Sequence, residues 1–250
     1  MSIIITVANQ KGGVGKTTTA VTLAHGLAIQ NRETLLLDLD PQGQCSSALG
    51  QVQEPSVFNL LTGSQPLGDV TRTTGRSHLA IIPGDKRTAT AQIVLNAEGF
   101  ELDIIRRVFT PALQKGLEVI IIDTAPSVGG LQEAALFASD FVIIPTATDY
   151  LSTEGVVRMM ETLNLLRERD WKGKILGILP TFHDRVTRES QATLKDLSDT
   201  FGEDMIFQPI HRATILRECV SVGKTVWEIA PRSRAATEYA ELVWKVSDSL

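Results

Sequence analysis

The sequence predicts a single α/β domain over residues 1–250, with a doubly wound, mainly parallel sheet flanked by helices. Apolar, β-branched runs of strand length recur along the chain, and stretches of helical periodicity separate most of them. Runs that are apolar throughout indicate strands buried on both faces, as in a parallel sheet covered by helices. No Pro/Gly/Ser-rich linker, repeat or low-complexity tract divides the chain.

The predicted elements follow in order. The strands are expected at residues 3–8, 34–39, 79–82, 119–122, 141–145 and 175–179. Helices are expected at residues 18–30, 101–115 and 154–169. The segment from about residue 51 to residue 84 is rich in Pro and Gly, which predicts a surface excursion rather than a second core.

Composition sets limits on function. The chain is 43% hydrophobic and 21% charged, as globular domains are. A net charge of −5 excludes a bulk polycation but leaves room for a local basic patch. Cys45 and Cys219 have no metal-site spacing, which favours a reduced, cytoplasmic protein. No basic leader precedes the first strand, and no apolar run approaches the roughly 18 residues that span a bilayer.

A glycine-rich loop follows the first predicted strand and opens the first predicted helix. It reads Asn9-Gln10-Lys11-Gly12-Gly13-Val14-Gly15-Lys16-Thr17-Thr18. Glycines let backbone N–H groups wrap an anion, and the helix N-terminus adds donors and a positive dipole. Lys16 is expected to reach the β- and γ-phosphates, and the Thr17 hydroxyl to ligate Mg²⁺. Gln10 replaces the first glycine of the usual GxxxxGK[ST] pattern, and Lys11 precedes the paired glycines instead. The alternative is a close-packed turn without a ligand.

Acidic residues end two of the predicted strands. Asp38 and Asp40 alternate to the same side at the carboxyl edge of the sheet, where ligands bind in such folds. We expect Asp40 to act on the water that attacks the γ-phosphate, and Asp38 to hydrogen-bond a neighbouring loop. Asp123 follows four apolar residues, and after a phosphate loop this pattern predicts the carboxylate of the Mg²⁺ site.

Together these motifs resemble the deviant-Walker-A ATPases of the ParA/MinD superfamily, in its ParA/Soj branch, which includes McdA-like members that position carboxysomes. The resemblance covers almost the whole chain. It rests on four stretches beyond Lys11–Thr18: Asp40-Pro41-Gln42-Gly43, Asp123-Thr124-Ala125-Pro126-Ser127, Tyr150-Leu151-Ser152-Thr153-Glu154-Gly155 and Ala230-Pro231-Arg232-Ser233-Arg234-Ala235-Ala236-Thr237-Glu238-Tyr239. It implies a P-loop NTPase fold, ATP and Mg²⁺ as cofactors, and an ATP-dependent sandwich homodimer.

The resemblance also implies individual roles. Lys11 matches the signature lysine that crosses to the partner's nucleotide, Asp40 the hydrolytic carboxylate at the metal, and Asp123 the residue that holds Mg²⁺ through water. Lys16 and Thr17 match the contacts made within one subunit. The expected phosphate contacts are Gly12, Gly13, Val14, Gly15, Lys16, Thr17 and Thr18. The positions matching the adenine site are Thr181, Phe182, Pro209 and Ile210, for which ordinary loop packing is the alternative.

Basic residues cluster in the C-terminal half. Between residues 205 and 234 there are five basic and two acidic residues in an otherwise negative protein. The expected contacts to DNA are Arg185, Arg188, Arg212, Arg217, Lys224, Arg232 and Arg234, since sequence-independent binding needs only phosphate contacts. A solvated charged face is the alternative for each residue. Ile215 departs from the family, whose members often have an arginine at that position.

Three functions fit these features. The first is a positioning ATPase that binds DNA non-specifically on the nucleoid and is stimulated by a ParB-like or cargo-adaptor partner. The second, a MinD-like membrane ATPase, is disfavoured because three of the four charged residues in the C-terminal stretch 238–250 are acidic. The third is a metabolic P-loop enzyme, either dethiobiotin-synthetase-like or nitrogenase-reductase-like; the reductase needs paired cysteines that are missing. No helix-turn-helix precedes the first strand, so a short-form member is expected.

Overall fold

The computed structural model describes residues 2–97, 99, 101–113, 116–126, 129–149 and 152–250. Three positions of the family motifs, Ser127, Tyr150 and Leu151, lie outside the described residues, as does the end of the predicted helix 101–115.

A seven-stranded sheet forms the centre of the domain. Its strands are β1 Ile3–Val7, β2 Thr34–Asp38, β3 Arg72–Thr73, β4 Leu79–Ile82, β5 Val119–Asp123, β6 Phe141–Ala147 and β7 Lys174–Thr181. Their order across the sheet is β3-β4-β2-β5-β1-β6-β7, and all neighbours are parallel except β3 and β4. The prediction of a doubly wound, mainly parallel sheet is confirmed.

Twelve α-helices connect and cover the strands within the described residues. They are α1 Lys16–Ile29, α2 Gln44–Leu49, α3 Val57–Leu61, α4 Leu67–Val70, α5 Thr88–Ala97, α6 Ile104–Leu113, α7 Gly130–Ala138, α8 Ser152–Glu168, α9 Arg188–Phe201, α10 Thr214–Ser221, α11 Val226–Ile229 and α12 Arg234–Asp248. A 3₁₀ turn at Glu203–Met205 follows α9. None of the described helices is both long and apolar enough to cross a membrane.

Apolar clusters cover both faces of the sheet, as the continuous apolar strands require. On one face, Leu23 of α1 and Tyr239 of α12 belong to a cluster with Ile121 of β5. On the other face, Ile120 of β5 belongs to a cluster with Phe109 of α6. Successive residues of β5 therefore point into opposite layers, and this pattern fixes the register of the strand.

The segment 51–84 corrects one sequence prediction. The strand predicted at residues 79–82 is present as β4, but the part before it is not an irregular surface excursion, because it forms α3, α4 and β3. Val57 and Val70 are fully buried and join the same apolar cluster as Phe109. The prediction failed because two short helices of five and four residues contain too few turns to display a helical period.

The carboxyl ends of the central strands lie level with one another. In the parallel pairing of β1, β2 and β5, Val7, Asp38 and Asp123 occupy the same row. The phosphate loop leaves β1 at this row, and α1 begins at Lys16, two residues earlier than predicted. Lys16 and Thr17 therefore lie in the first turn of α1, next to both acidic strand ends.

Candidate active site

The loop between β1 and α1 has the backbone of an anion site. Gly13 and Gly15 adopt left-handed conformations with φ of 72° and 86°, which glycine takes without strain. Their backbone N–H groups meet no acceptor within the described residues. Lys16 is buried, and its Nζ donates to the carbonyl of Lys11 at 3.0 Å. The loop thus curls over its own lysine and leaves amide donors for a phosphate.

A cavity of about 820 Å³ opens beside this loop at the carboxyl edge of the sheet. Seven predicted site residues line it: Gly13, Gly15, Lys16, Thr17, Thr18, Asp40 and Phe182. The sequence did not predict three further lining residues, Gln44, Gln92 and Thr124. We refer to this space as the nucleotide cavity, since its volume lies in the range of small-molecule sites.

Two of the three residues predicted at the Mg²⁺ site, Thr17 and Asp123, contact each other in the structure. The Thr17 hydroxyl donates to Asp123 Oδ2 at 2.7 Å. Asp123 is fully buried, and its Oδ1 has no hydrogen-bond partner among the described residues. Burial raises the pKa of Asp123 to about 6. A hydroxyl beside an unpartnered carboxylate oxygen is a donor set that suits Mg²⁺, which prefers oxygen ligands and retains several waters.

Asp38 and Asp40 lie in different environments. Asp38 is fully buried, and its oxygens accept the N–H groups of Asp40 at 3.0 Å and Cys45 at 3.1 Å. Burial raises the pKa of Asp38 well above its usual range, and Asp123 adds to the effect. Asp38 therefore fixes the turn after β2. Asp40 is half-buried and lines the nucleotide cavity, where a hydrolytic carboxylate must lie.

The charge of Lys16 is set by opposing effects. Burial lowers the pKa of Lys16, while the nearby carboxylates Asp123 and Asp40 oppose that shift. A partly desolvated ammonium interacts more strongly with a phosphate than a fully hydrated one does, because the local dielectric is lower.

Lys11 pairs within its own chain. Its Nζ lies 2.5 Å from Asp149 Oδ1, and its side chain is 31% exposed. Asp149 also accepts the Ser152 hydroxyl at 2.6 Å, so the carboxylate is held from two sides. Sequence reasoning missed Asp149. Its position directly after β6, at the carboxyl edge of the sheet, was the available signal.

The predicted adenine residues fall into two groups. Phe182 has a φ of 52° and its ring lies close to Gly15 at the cavity wall. Thr181 is buried and donates its hydroxyl to the carbonyl of Val14 at 2.9 Å, so it holds the phosphate loop in place. Pro209 and Ile210 do not line the cavity within the described residues, and Ile210 is buried in the core.

The seven predicted DNA contacts are all exposed, and we call them the basic surface: Arg185, Arg188, Arg212, Arg217, Lys224, Arg232 and Arg234. Of these seven residues, Arg234 alone forms an ion pair with another described residue, and its partner Glu238 lies at 3.4 Å. The guanidinium of Arg212 lies 5.7 Å from the centre of the Phe182 ring. One aromatic side chain therefore contacts both the nucleotide cavity and the basic surface.

A glycine loop of this form, next to a hydroxyl–carboxylate pair suited to Mg²⁺, is the nucleotide site of a P-loop ATPase.

Comparison with known proteins identifies the family within this class of ATPases. The family model described as an AAA domain matches residues 2–176. The chain is 36% identical over 243 residues to the chromosome-partitioning ATPase Soj of Thermus thermophilus, an alignment that covers 97% of this chain and 94% of that protein. The chain therefore belongs to the ParA/Soj family of partitioning ATPases.

Solved structures agree with this fold. Apo McdA from Cyanothece has a TM-score of 0.89 at 22% identity and covers 98% of this chain and 100% of its own. Cobyrinic acid a,c-diamide synthase from Mycobacterium smegmatis, with a bound ATP analogue and magnesium, has a TM-score of 0.83 at 29% identity and covers 97% and 93%. The predicted family, ATPase class and cofactors ATP and Mg²⁺ are confirmed.

Proposed function

We propose that this ATPase forms an ATP-dependent sandwich dimer that binds DNA without sequence preference and positions a cargo on the nucleoid. A ParB-like or cargo-adaptor partner would stimulate hydrolysis and so release the DNA. The observation that carries the proposal is the set of exposed basic residues, one of which, Arg212, lies against the Phe182 ring that lines the nucleotide cavity.

Hydrolysis would begin with ATP in the phosphate loop. The amides of Gly13 and Gly15 and the ammonium of Lys16 would stabilise the phosphate charge, while Thr17 and Asp123 would hold the magnesium ion. Bound Mg²⁺ neutralises charge that develops on the β- and γ-phosphates. Asp40 would orient the attacking water and accept its proton.

Dimer formation would change the partner of Lys11. The ion pair with Asp149 satisfies Lys11 within one chain, and both side chains are partly exposed. A pair at such a site contributes only about 0–1 kcal/mol, so a γ-phosphate across an interface can compete for the ammonium. The proposed trans role for Lys11 therefore needs no rearrangement of the core.

DNA binding would use the seven residues of the basic surface. Six of them form no ion pair within the described part of the chain, so their charges are not neutralised by neighbouring carboxylates. Charge of this kind supports binding through phosphates, with affinity that falls as salt rises. The net charge of −5 would suppress binding elsewhere on the protein.

The test is binding of the purified protein to random-sequence duplex DNA with ATP, with ADP and without nucleotide, at two salt concentrations. We expect salt-sensitive binding with ATP only, and dimers with ATP in sedimentation experiments. Lys11→Ala should bind ATP yet lose the dimer and the DNA. An ATP-bound wild-type dimer that does not bind DNA would contradict the proposed role in DNA binding.

A metabolic P-loop enzyme is the second candidate, because the chain is 29% identical to a solved cobyrinic acid a,c-diamide synthase. An amidation of that kind consumes ATP only when its organic substrate is present. ATP turnover that responds to DNA and a partner protein would reject this candidate. A membrane role is less favoured, since Tyr239, Leu242 and Val243 of α12 are buried against the domain.

A further inference from the structure

Three buried side chains lie together at the carboxyl ends of two neighbouring strands, β2 and β5. They are Asp38 at the end of β2, Cys45 in α2 and Asp123 at the end of β5, and we call them the thiol–carboxylate cluster. One ligand atom from each lies within 4.8 Å of the other two. All three side chains are fully buried. Thr17, which lines the nucleotide cavity, donates its hydroxyl to Asp123 and so connects the cluster to the cavity wall.

The hydrogen bonds within the cluster leave carboxylate lone pairs that could ligate a cation. The Cys45 thiol donates to Asp123 Oδ2 at 3.3 Å, so sulfur and carboxylate already touch. Asp123 Oδ1 is buried and has no partner among the described residues. Each oxygen of Asp38 accepts one backbone N–H and retains a second lone pair. Two carboxylates and a thiol thus lie together, and the second oxygen of Asp123 is buried without a partner among the described residues, which costs free energy.

Cys45 also has a plain structural role, since it belongs to the apolar cluster around α1. Packing alone would place its sulfur against hydrocarbon. The sulfur instead contacts a carboxylate that is itself part of the Mg²⁺ site, and a purely apolar residue there would leave Asp123 with one hydrogen bond fewer.

We propose that the thiol–carboxylate cluster binds a thiophilic divalent cation of the Zn²⁺ class when the nucleotide cavity is empty. Zn²⁺ takes one thiolate and carboxylate oxygens in tetrahedral sites, and a fourth position remains open for water. Mg²⁺ selects oxygen alone, so the sulfur of Cys45 determines the preference. On binding, the Cys45 S–H bond breaks, a Zn–S bond forms, and the proton passes to solvent.

The cluster shares Asp123 with the Mg²⁺ site, so the two cations exclude one another. A thiophilic ion drawn to Cys45 would engage the carboxylate that Thr17 and hydrated Mg²⁺ need. The cluster therefore makes the nucleotide-free protein sensitive to Zn²⁺, and Mg²⁺ with ATP protects it.

The test is a titration of the nucleotide-free protein with cobalt(II) chloride, the optical probe for zinc sites, in reduced, chelator-free buffer. A thiolate bound to Co²⁺ gives a charge-transfer absorption band. We expect this band in wild type and in Cys219→Ala, which removes the other buried cysteine. It should vanish in Cys45→Ala and Cys45→Ser, with Co²⁺ affinity about tenfold or more weaker.

Circular dichroism of each variant checks the fold, and Cys45→Ser keeps nearly the volume of the original side chain. A band that persists in both Cys45 variants would overturn the proposal, as would wild-type protein without a thiolate band. Addition of Mg²⁺ and ATP should abolish the wild-type band. If the band survives saturating Mg²⁺ and ATP, the shared use of Asp123 is wrong.

Discussion

The nucleotide cavity and the basic surface differ in how firmly the protein holds its functional groups. Around the cavity, Lys16 is 6% exposed and Asp123 is fully buried, and each is fixed by a hydrogen bond. The arginines of the basic surface are all exposed, and one of them, Arg234, forms an ion pair within the described residues. Phosphoryl transfer depends on preorganised charge, whereas non-specific DNA binding needs only available charge. The two regions should therefore respond differently to substitution.

The largest effect is expected at Asp40. Asp40→Asn should lower the rate of ATP hydrolysis by about 10²–10⁴-fold, because the amide cannot accept a proton from the attacking water. ATP binding should persist, as measured by fluorescent nucleotide titration beside a phosphate-release assay. Asp38→Asn is the matched comparison and should chiefly lower stability, since Asp38 holds the turn through two backbone N–H groups. Normal hydrolysis by Asp40→Asn would remove Asp40 from the chemistry.

The second largest effect is expected from a substitution at Gly84, which packs against the turn after β2. The Cβ of Gly84→Ala would lie 2.6 Å from the carbonyl oxygen of Asp40 and 2.9 Å from that of Asp38. We expect a loss of about 1–3 kcal/mol of unfolding free energy in urea, since the turn must shift. Gly68→Ala is the control, because its Cβ meets nothing within 4 Å. Equal stability of the two variants would mean that the turn is not tightly packed.

Substitutions on the basic surface should weaken DNA binding through the change of charge rather than through a change of geometry. Arg212→Glu with Arg217→Glu should weaken DNA binding at least about tenfold and reduce the salt slope by about two, leaving ATP affinity unchanged. Lys172→Glu provides the control, since Lys172 precedes the amino end of β7, whereas Arg212 donates its backbone N–H to His183 beyond the carboxyl end of that strand. Fluorescence anisotropy at several salt concentrations measures both quantities. If Lys172→Glu weakened DNA binding as much as the substitutions at Arg212 and Arg217 do, DNA binding would not be localised to the basic surface.

The smallest effect is expected where the regions meet. Phe182→Leu removes the ring that lies 5.7 Å from the Arg212 guanidinium. Such a contact contributes about 0.5–1 kcal/mol at an exposed site, so DNA affinity should fall about two- to fivefold. Phe182→Tyr keeps the ring and should behave as wild type. If Leu and Tyr are equivalent in the anisotropy assay, the ring does not position Arg212.

The two regions also differ in how much the sequence could predict. The phosphate loop, Asp123 and the division between Asp38 and Asp40 follow from strand ends and period-two alternation, which are local features. The Lys11–Asp149 pair joins residues 138 apart, and no local pattern carries such a contact. Thr181 was expected near adenine, but its hydroxyl holds the carbonyl of Val14, a contact that depends on tertiary packing.

For the basic surface, the sequence predicted exposure and charge and nothing finer. Solvated arginines obey few geometric rules, so composition locates them without specifying which phosphates they meet. The family resemblance places Ile210 at the adenine site. In the structure Ile210 is buried in the core, because burial of an apolar side chain is strongly favoured.

If the nucleotide cavity controls the basic surface, ATP binding and DNA binding must be thermodynamically linked. If ATP tightens DNA binding by some factor, DNA must tighten ATP binding by the same factor. The measurement is the affinity of the wild-type protein for a non-hydrolysable ATP analogue, with and without saturating random-sequence duplex DNA. We predict tighter analogue binding with DNA, and loss of that gain in Arg212→Glu with Arg217→Glu. Identical affinity with and without DNA would show that the nucleotide cavity does not control the basic surface.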